Sequence, residues 1–171
     1  MLGNWRKGAC LAALLEAGLA TIHEGDNDLV IVFDMDNILV DEFGSSVRPG
    51  IVALLQRLRK DGHTLVLRTN SRRDRAMEIL RIHDLRRHFR VCICREDYDP
   101  DEQDVPKDIR RIKGDILVDD DPEAIAYVRS IGRKGFLILP YRKGAAADRK
   151  ELADLYGTIG RAKGILGRML T

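Results

Sequence analysis

The sequence predicts an α/β fold: a doubly wound, five-stranded parallel sheet with helices on both faces. Three observations carry this. Short apolar runs alternate along the chain with segments of helical spacing. The first run, Leu29-Val-Ile-Val-Phe33, is apolar throughout, as a strand covered on both faces must be. The chain has 171 residues, 44% apolar and 33% charged, enough for one domain whose core needs no disulfide or metal staple.

Each element follows in order. After the strand at Leu29–Phe33, Pro49-Gly50 precedes a helix over Ile51 to Arg59, with Leu54, Leu55 and Leu58 at helical spacing. Asp61-Gly62 ends it, and Thr64 to Leu67 is the second strand. Ser71 reads as the N-cap of a helix holding Ala76, Ile79, Leu80 and Ile82. Phe89 to Ile93 is the third strand and Ile116 to Val118 the fourth. Asp121-Pro122 places a cap and a first-turn proline before a helix through Ile131. Gly135 to Leu139 is the fifth strand. Such alternation implies right-handed crossovers and a Rossmann-like sheet. The expected organisation is a helical extension over 1–28, a catalytic core over 29–141, and a C-terminal helix over 142–171.

Composition excludes several classes. The net charge of +2 argues against a wholesale polyanion binder. No apolar run nears the roughly 20 residues that span a bilayer. Cys10, Cys92 and Cys94 form no disulfide framework; Cys92 and Cys94 share one strand face as buried thiols, which fits a reducing cytoplasm. Ala9 to Ala20 is interrupted by Glu16, so it reads as an amphipathic leading helix, with Trp5 a packing anchor, rather than a signal peptide. Charge is patchy. Arg57 to Arg90 holds 11 Lys/Arg against 4 Asp/Glu, and Arg95 to Asp121 holds 5 against 11. The basic stretch is either a solvated helix face or a patch steering a phosphorylated partner.

Ligands of such sheets bind beyond the C-terminal strand ends, so the residues there carry the chemistry. Asp34-Met35-Asp36 follows the first strand, and two carboxylates in that crevice need a cation or a proton between them. Thr69-Asn70-Ser71 follows the second strand and suits an anion at a helix N-terminus. Lys107 lies in an acidic stretch, and Asp119, Asp120 and Asp121 follow the fourth strand. The acids could hold Mg2+, a hard cation that prefers oxygen. The metal, Lys107 and Thr69 could then neutralise a phosphoryl group while one carboxylate attacks phosphorus.

In this order, LVIVFDMDNILV, LVLRT, Lys107 and ILVDD resemble the four motifs of the haloacid dehalogenase superfamily, over about Leu29 to Leu139. VRPGIVALLQRL, KDIRRI and ILVDDDP look like the RNA polymerase II C-terminal-domain phosphatases, and RTNS like the small magnesium-dependent phosphatases. The resemblance implies a Mg-dependent phosphomonoester phosphatase working through an aspartyl-phosphate. Asp34 would be the nucleophile. Asp36 would protonate the leaving group and then activate water, its backbone carbonyl binding Mg2+. Thr69 would hold a phosphoryl oxygen, and Lys107 would screen charge between Asp34 and the phosphate. Asp119 and Asp120 would complete the metal site. Asn70 and Arg72 join Thr69 and Lys107 as candidate substrate contacts. The chain departs from the pattern at Ile38, where the superfamily usually has Thr, and at Asn37, where Gly or Glu is common.

Superfamily members select substrates with inserted caps, and this chain has no room for one. Asp36 to Thr69 is 33 residues and Thr69 to Lys107 is 38, each filled by the elements above. An open site suits a large phosphorylated substrate, or a neighbouring subunit as its lid. The loops Asp41 to Arg48 and Arg95 to Asp104 are the rim, and Arg68, Arg72, Arg73 and Arg75 imply further anionic charge on the substrate. Phosphoprotein, nucleotide and sugar phosphate all remain open. Gly157, Gly160, Gly164 and Gly167 share one face of the last helix, which implies close packing on another helix, in the chain or across a homodimer. A response-regulator receiver is excluded by motif order, because its phosphorylated Asp follows the third strand. A catalytically weak binding subunit and a phosphotransferase to an acceptor other than water are the alternatives.

Overall fold

The computed structural model of the protein describes residues 28–144 and 149–169, with side chains described as far as residue 162. The leading helix, Trp5 and Cys10 lie outside them. Five strands form one parallel sheet: β1 (Val30–Phe33), β2 (Thr64–Arg68), β3 (Val91–Ile93), β4 (Ile116–Asp119) and β5 (Lys134–Leu137). Their order is β3-β2-β1-β4-β5. The helices are α1 (Ile51–Lys60), α2 (Arg73–Ile82), the single turn α3 (Arg95–Tyr98), α4 (Pro122–Ser130) and α5 (Arg149–Met169).

Alternation along the central strands sorts the core into two layers. Ile31, Phe33, Leu65, Leu67, Ile116 and Val118 meet α1, α2 and α5 on one face. Val30, Val32, Val66, Ile93 and Leu117 meet α4 and the 3-10 turn Ile109–Ile112 on the other. The expected doubly wound, capless sheet is the observed one. Between Asn70 and Pro106 the chain forms α2, the 3-10 turn Arg86–His88, β3, α3 and their connections.

Several boundaries move for physical reasons. β3 begins at Val91 rather than Phe89, because Arg86–His88 forms a 3-10 turn and Phe89 packs edge-on against Phe33, ring centroids 6.3 Å apart. β5 ends at Leu137 rather than Leu139; Pro140, with no N–H to donate, follows. Ser71 is not the cap of α2: Arg72 holds that position without a side-chain bond, and the Ser71 hydroxyl is used elsewhere. Asp121 does cap α4, accepting from the Glu123 N–H at 2.9 Å, with Pro122 at the first position. Cys94 is buried and Cys92 half-buried against the same core layer, with no disulfide between them.

The last helix docks through its apolar residues, and neither Gly157 nor Gly160, its two glycines with described surroundings, lies in that contact. Leu152, Leu155, Ile159 and Ala162 enter the core beside α1. A Cβ at Gly160 would meet nothing within 4 Å, and at Gly157 only Arg161. The close approach is instead at Gly50, which enters α1 with φ 86°, where a Cβ would stand 3.2 Å from Leu152. Among the described residues no helix is long and apolar enough to cross a membrane.

Candidate active site

Parallel register brings the candidate residues to one sheet edge. Phe33 pairs with Leu67 on one side and Val118 on the other, so Asp34 and Thr69, just beyond β1 and β2, and Asp119, the last residue of β4, share one edge of the sheet. Asp34 is fixed there by its N–H, which donates to the Val118 carbonyl at 3.1 Å. Between them comes Lys107, 7% exposed. Its Nζ donates to Asp34 Oδ1 at 3.0 Å and to Asp119 Oδ2 at 2.7 Å. The loop bearing Lys107 is held by two buried groups. Asp99 accepts from the N–H groups of Gln103 (2.8 Å) and Val105 (3.3 Å), and Arg68 donates to the Pro106 carbonyl at 3.1 Å.

The electrostatics are unbalanced. Asp34 and Asp119 are buried, and a single ammonium serves both. Burial pushes the Asp34 carboxyl up to about 7; Asp119 and Asp36 add to this, while Lys107 opposes it. Burial also works against the Lys107 ammonium, yet Asp34 and Asp119 together hold it above its ordinary value. One oxygen each of Asp34, Asp119 and Asp120 can lie within 4.8 Å of one another. Three hard oxygen donors around excess buried negative charge fit a divalent cation of the Mg2+ type. Asp120 is oriented by Asn37, whose Nδ2 donates to Oδ2 at 2.8 Å. Asn37 has φ 64°, a left-handed conformation that Asn and Gly tolerate best. Ile38 is wholly buried in the core.

The Asp36 carboxylate does not join this group. It turns toward α2, where the Ser71 hydroxyl donates to Oδ2 at 2.6 Å. The Arg75 guanidinium nitrogens lie 3.0 Å from Oδ2 and 2.7 Å from Oδ1. This pairing corrects the expectation that Arg75 is spare positive charge for the substrate. The other arginines of that cluster also part ways. Arg68 is buried on the opposite sheet face, Arg73 pairs with Asp97, and Arg72 remains largely exposed, 3.8 Å from Glu96. The i, i+4 spacing of Ser71 and Arg75 was the available signal for their shared target.

Thr69 is buried, and its Oγ1 accepts from the Ser71 N–H at 3.1 Å, closing the turn into α2. Asn70 bonds through Oδ1 to the Tyr98 hydroxyl, and its carbonyl accepts from Arg95 Nε at 2.7 Å. Asp36, Asn70, Ser71, Arg72, Arg75 and Arg95 line a wide, open depression of about 570 Å3. One rim is the Asp41–Arg48 loop. Buried Asp41 staples it by accepting from the hydroxyls of Ser45 (2.7 Å) and Ser46 (2.8 Å). Burial opposes its charge, but these hydroxyls and the N–H groups of Ser45 and Phe43 hold its carboxyl far below the ordinary range. Phe43 stands at the loop tip, 79% exposed.

Residues 29–164 match the family model of the NLI interacting factor-like phosphatases. Among solved structures, a Thermotoga maritima protein provisionally called a beta-phosphoglucomutase aligns with a TM-score of 0.59 at 13% identity, covering 76% of this chain and 99% of that one. A Clostridium difficile protein provisionally called a phosphatase aligns with a TM-score of 0.54 at 16% identity, covering 75% and 91%. The core domain of a Streptococcus pneumoniae protein provisionally called a phosphoglycolate phosphatase aligns at 0.50 and 14% identity, covering 77% and 96%. At these identities the structural likeness shows the shared fold. No curated protein matches this chain in sequence.

Proposed function

This chain belongs to the NLI interacting factor-like phosphatase family, and from that premise we propose that it is a Mg2+-dependent phosphomonoester phosphatase acting through an aspartyl-phosphate on Asp34. The observation that carries this reading is the buried Asp34–Lys107–Asp119 cluster at the sheet edge. Asp34, directly after β1, is the carboxylate we assign as the nucleophile. Asp34, Asp119 and Asp120 would hold Mg2+, joined by the Asp36 backbone carbonyl. Bound there, Mg2+ would supply charge neutralisation at the phosphoryl oxygens.

This chain's residues perform the rest. An Asp34 oxygen bonds to phosphorus as the bond to the leaving oxygen breaks, and the Asp36 carboxyl passes its proton to that oxygen. Water then attacks the same phosphorus. The Asp36 carboxylate takes a proton from that water, the bond to Asp34 breaks, and inorganic phosphate leaves. The Thr69 hydroxyl and the Lys107 ammonium bind phosphoryl oxygens in both steps. Asn70 and Arg72 line the approach and contact the rest of the substrate.

The open depression supports a macromolecular phosphorylated substrate that covers the site itself. The unpaired thiols Cys92 and Cys94 support a reducing cytoplasm. Homodimerisation through the N- or C-terminal helices would supply a lid from the neighbouring subunit. The test is hydrolysis of p-nitrophenyl phosphate with Mg2+ and with EDTA, in wild type and Asp34→Asn. Turnover is expected only in metal-loaded wild type. Turnover that survives Asp34→Asn overturns the assignment of Asp34.

A further inference from the structure

On the α4 side of the sheet lies a cavity of about 160 Å3 that the chemistry above does not use. Arg68, the last residue of β2, points there by alternation and is only 4% exposed. Its guanidinium carbon lies 4.4 Å from the Tyr98 ring centroid, and Nη2 donates to the Pro106 carbonyl at 3.1 Å. Among the described residues no carboxylate pairs with it. Asp108 also lines the cavity, but Arg110 occupies its carboxylate, with Nε at 3.0 Å and Nη2 at 2.8 Å. Arg111 adds a second positive charge at the exposed wall, and Tyr127 of α4 supplies another aromatic surface. Burial works against the Arg68 charge, and the Tyr98 ring, the Pro106 carbonyl and the nearby Asp108 offset this only in part, so an anion in the cavity would complete the balance.

We propose that this cavity is a second anion-binding subsite, separate from the nucleophile, that takes a carboxylate carried on a small flat or apolar body. A guanidinium fork matches a carboxylate in shape and charge. Arg68 is the buried cation of the lining, Arg111 stands at the exposed wall and Asp108 is held by Arg110, a balance that favours a monoanion over a phosphate dianion. The volume is close to that of cavities known to admit a benzene-sized body, roughly 150 Å3. The aromatic rings of Tyr98 and Tyr127 suit a flat partner. The subsite adjoins the candidate active site: Arg68 precedes Thr69, Pro106 precedes Lys107, and the Tyr98 hydroxyl lies 3.4 Å from the Thr69 carbonyl. The proposal does not depend on phosphatase activity.

The test is a titration of the full chain, followed by two-dimensional amide NMR, with benzoate, its neutral analogue benzamide, and phenylphosphonate. Benzoate is expected to bind, with shifts centred on Arg68, Tyr98 and Tyr127. Benzamide should bind at least about tenfold more weakly, and phenylphosphonate more weakly than benzoate. Arg68→Met should lower benzoate affinity about tenfold or more. Arg111→Glu, at an exposed position that cannot compromise the core, should also weaken it. Equal binding of benzoate and benzamide overturns the proposal, as does benzoate affinity unchanged in both variants. Shifts centred on Asp36 and Thr69 and abolished by Mg2+ with phosphate would assign the anion to the active site and overturn it too. Tighter phenylphosphonate would overturn the carboxylate assignment.

Discussion

The Arg75 guanidinium lies 2.7 Å from the Asp36 carboxylate, joining the first turn of α2 to the loop after β1. Ser71 completes the clamp from one helical turn earlier. In the proposed reaction Asp36 moves the protons, so Arg75 acts through it as a positioning residue. Arg75→Met is expected to lower kcat by about ten- to a hundredfold, less than the full 10²–10⁴-fold that general acid–base catalysis supplies because Asp36 itself remains, with KM little changed. A raised KM with unchanged kcat would instead make Arg75 a substrate contact. Steady-state kinetics on p-nitrophenyl phosphate separates the two.

Metal binding should follow the carboxylates that gather and spare the one that does not. Mg2+ is expected to raise the Tm of wild type, since a ligand bound only by the folded state stabilises it. Asp120→Asn should diminish the shift, because Asp120 belongs to the three-acid group. Asp36→Asn should retain it, because that side chain is engaged by Ser71 and Arg75. A thermal shift series at increasing Mg2+ reads this directly. Loss of the shift in Asp36→Asn with retention in Asp120→Asn would invert the assignment.

Much of this arrangement was legible before any coordinates. Continuous apolar runs such as Leu29–Phe33 identify covered strands, and the rule that ligands gather beyond strand ends picked out Asp34, Thr69 and Asp119. Lys107 could be placed by motif order alone. What was not legible depends on side-chain direction across elements distant in sequence. Alternation along β2 sends Arg68 to the far face and the i, i+4 spacing pairs Arg75 with Ser71, but neither names Asp36 as the shared target, which lies across the sheet edge. Which face of α5 enters the core was also not legible: small residues on one face permit close packing without requiring it, and Leu152, Leu155 and Ile159 are the residues that dock.

Docking of α5 gives a prediction about stability. Leu155 is wholly buried among residues of the α1 layer. Leu155→Ala should cost about 2–5 kcal/mol of unfolding free energy, the range for a truncated core leucine. Urea denaturation measures it. A change below about 0.5 kcal/mol would mean that α5 contributes little to the folded core.

His88 predicts a pH dependence. It is 4% exposed, and neither ring nitrogen has a hydrogen-bond partner. Burial lowers its pKa, and Arg87 and Arg59 add to this against Asp84. The unfolded chain therefore binds the proton first, near pH 6.5. The stability from neutral His88 is present above that pH and lost as the pH falls through it, by at most about 1.4 kcal/mol per unit. His88→Phe should flatten the decline in stability between pH 7 and pH 5. An unchanged slope would place its origin elsewhere.

The central claim is a covalent phosphoryl group on Asp34, and the most direct measurement is to trap it. Wild type turning over p-nitrophenyl phosphate with Mg2+ is quenched and reduced with borohydride, which converts an aspartyl-phosphate to homoserine, and the peptide spanning Leu29–Val40 is sequenced by mass spectrometry. The account predicts homoserine at position 34 and nowhere else, absent when substrate is withheld. An unmodified Asp34 under conditions of demonstrated turnover, or homoserine at another aspartate, would contradict it.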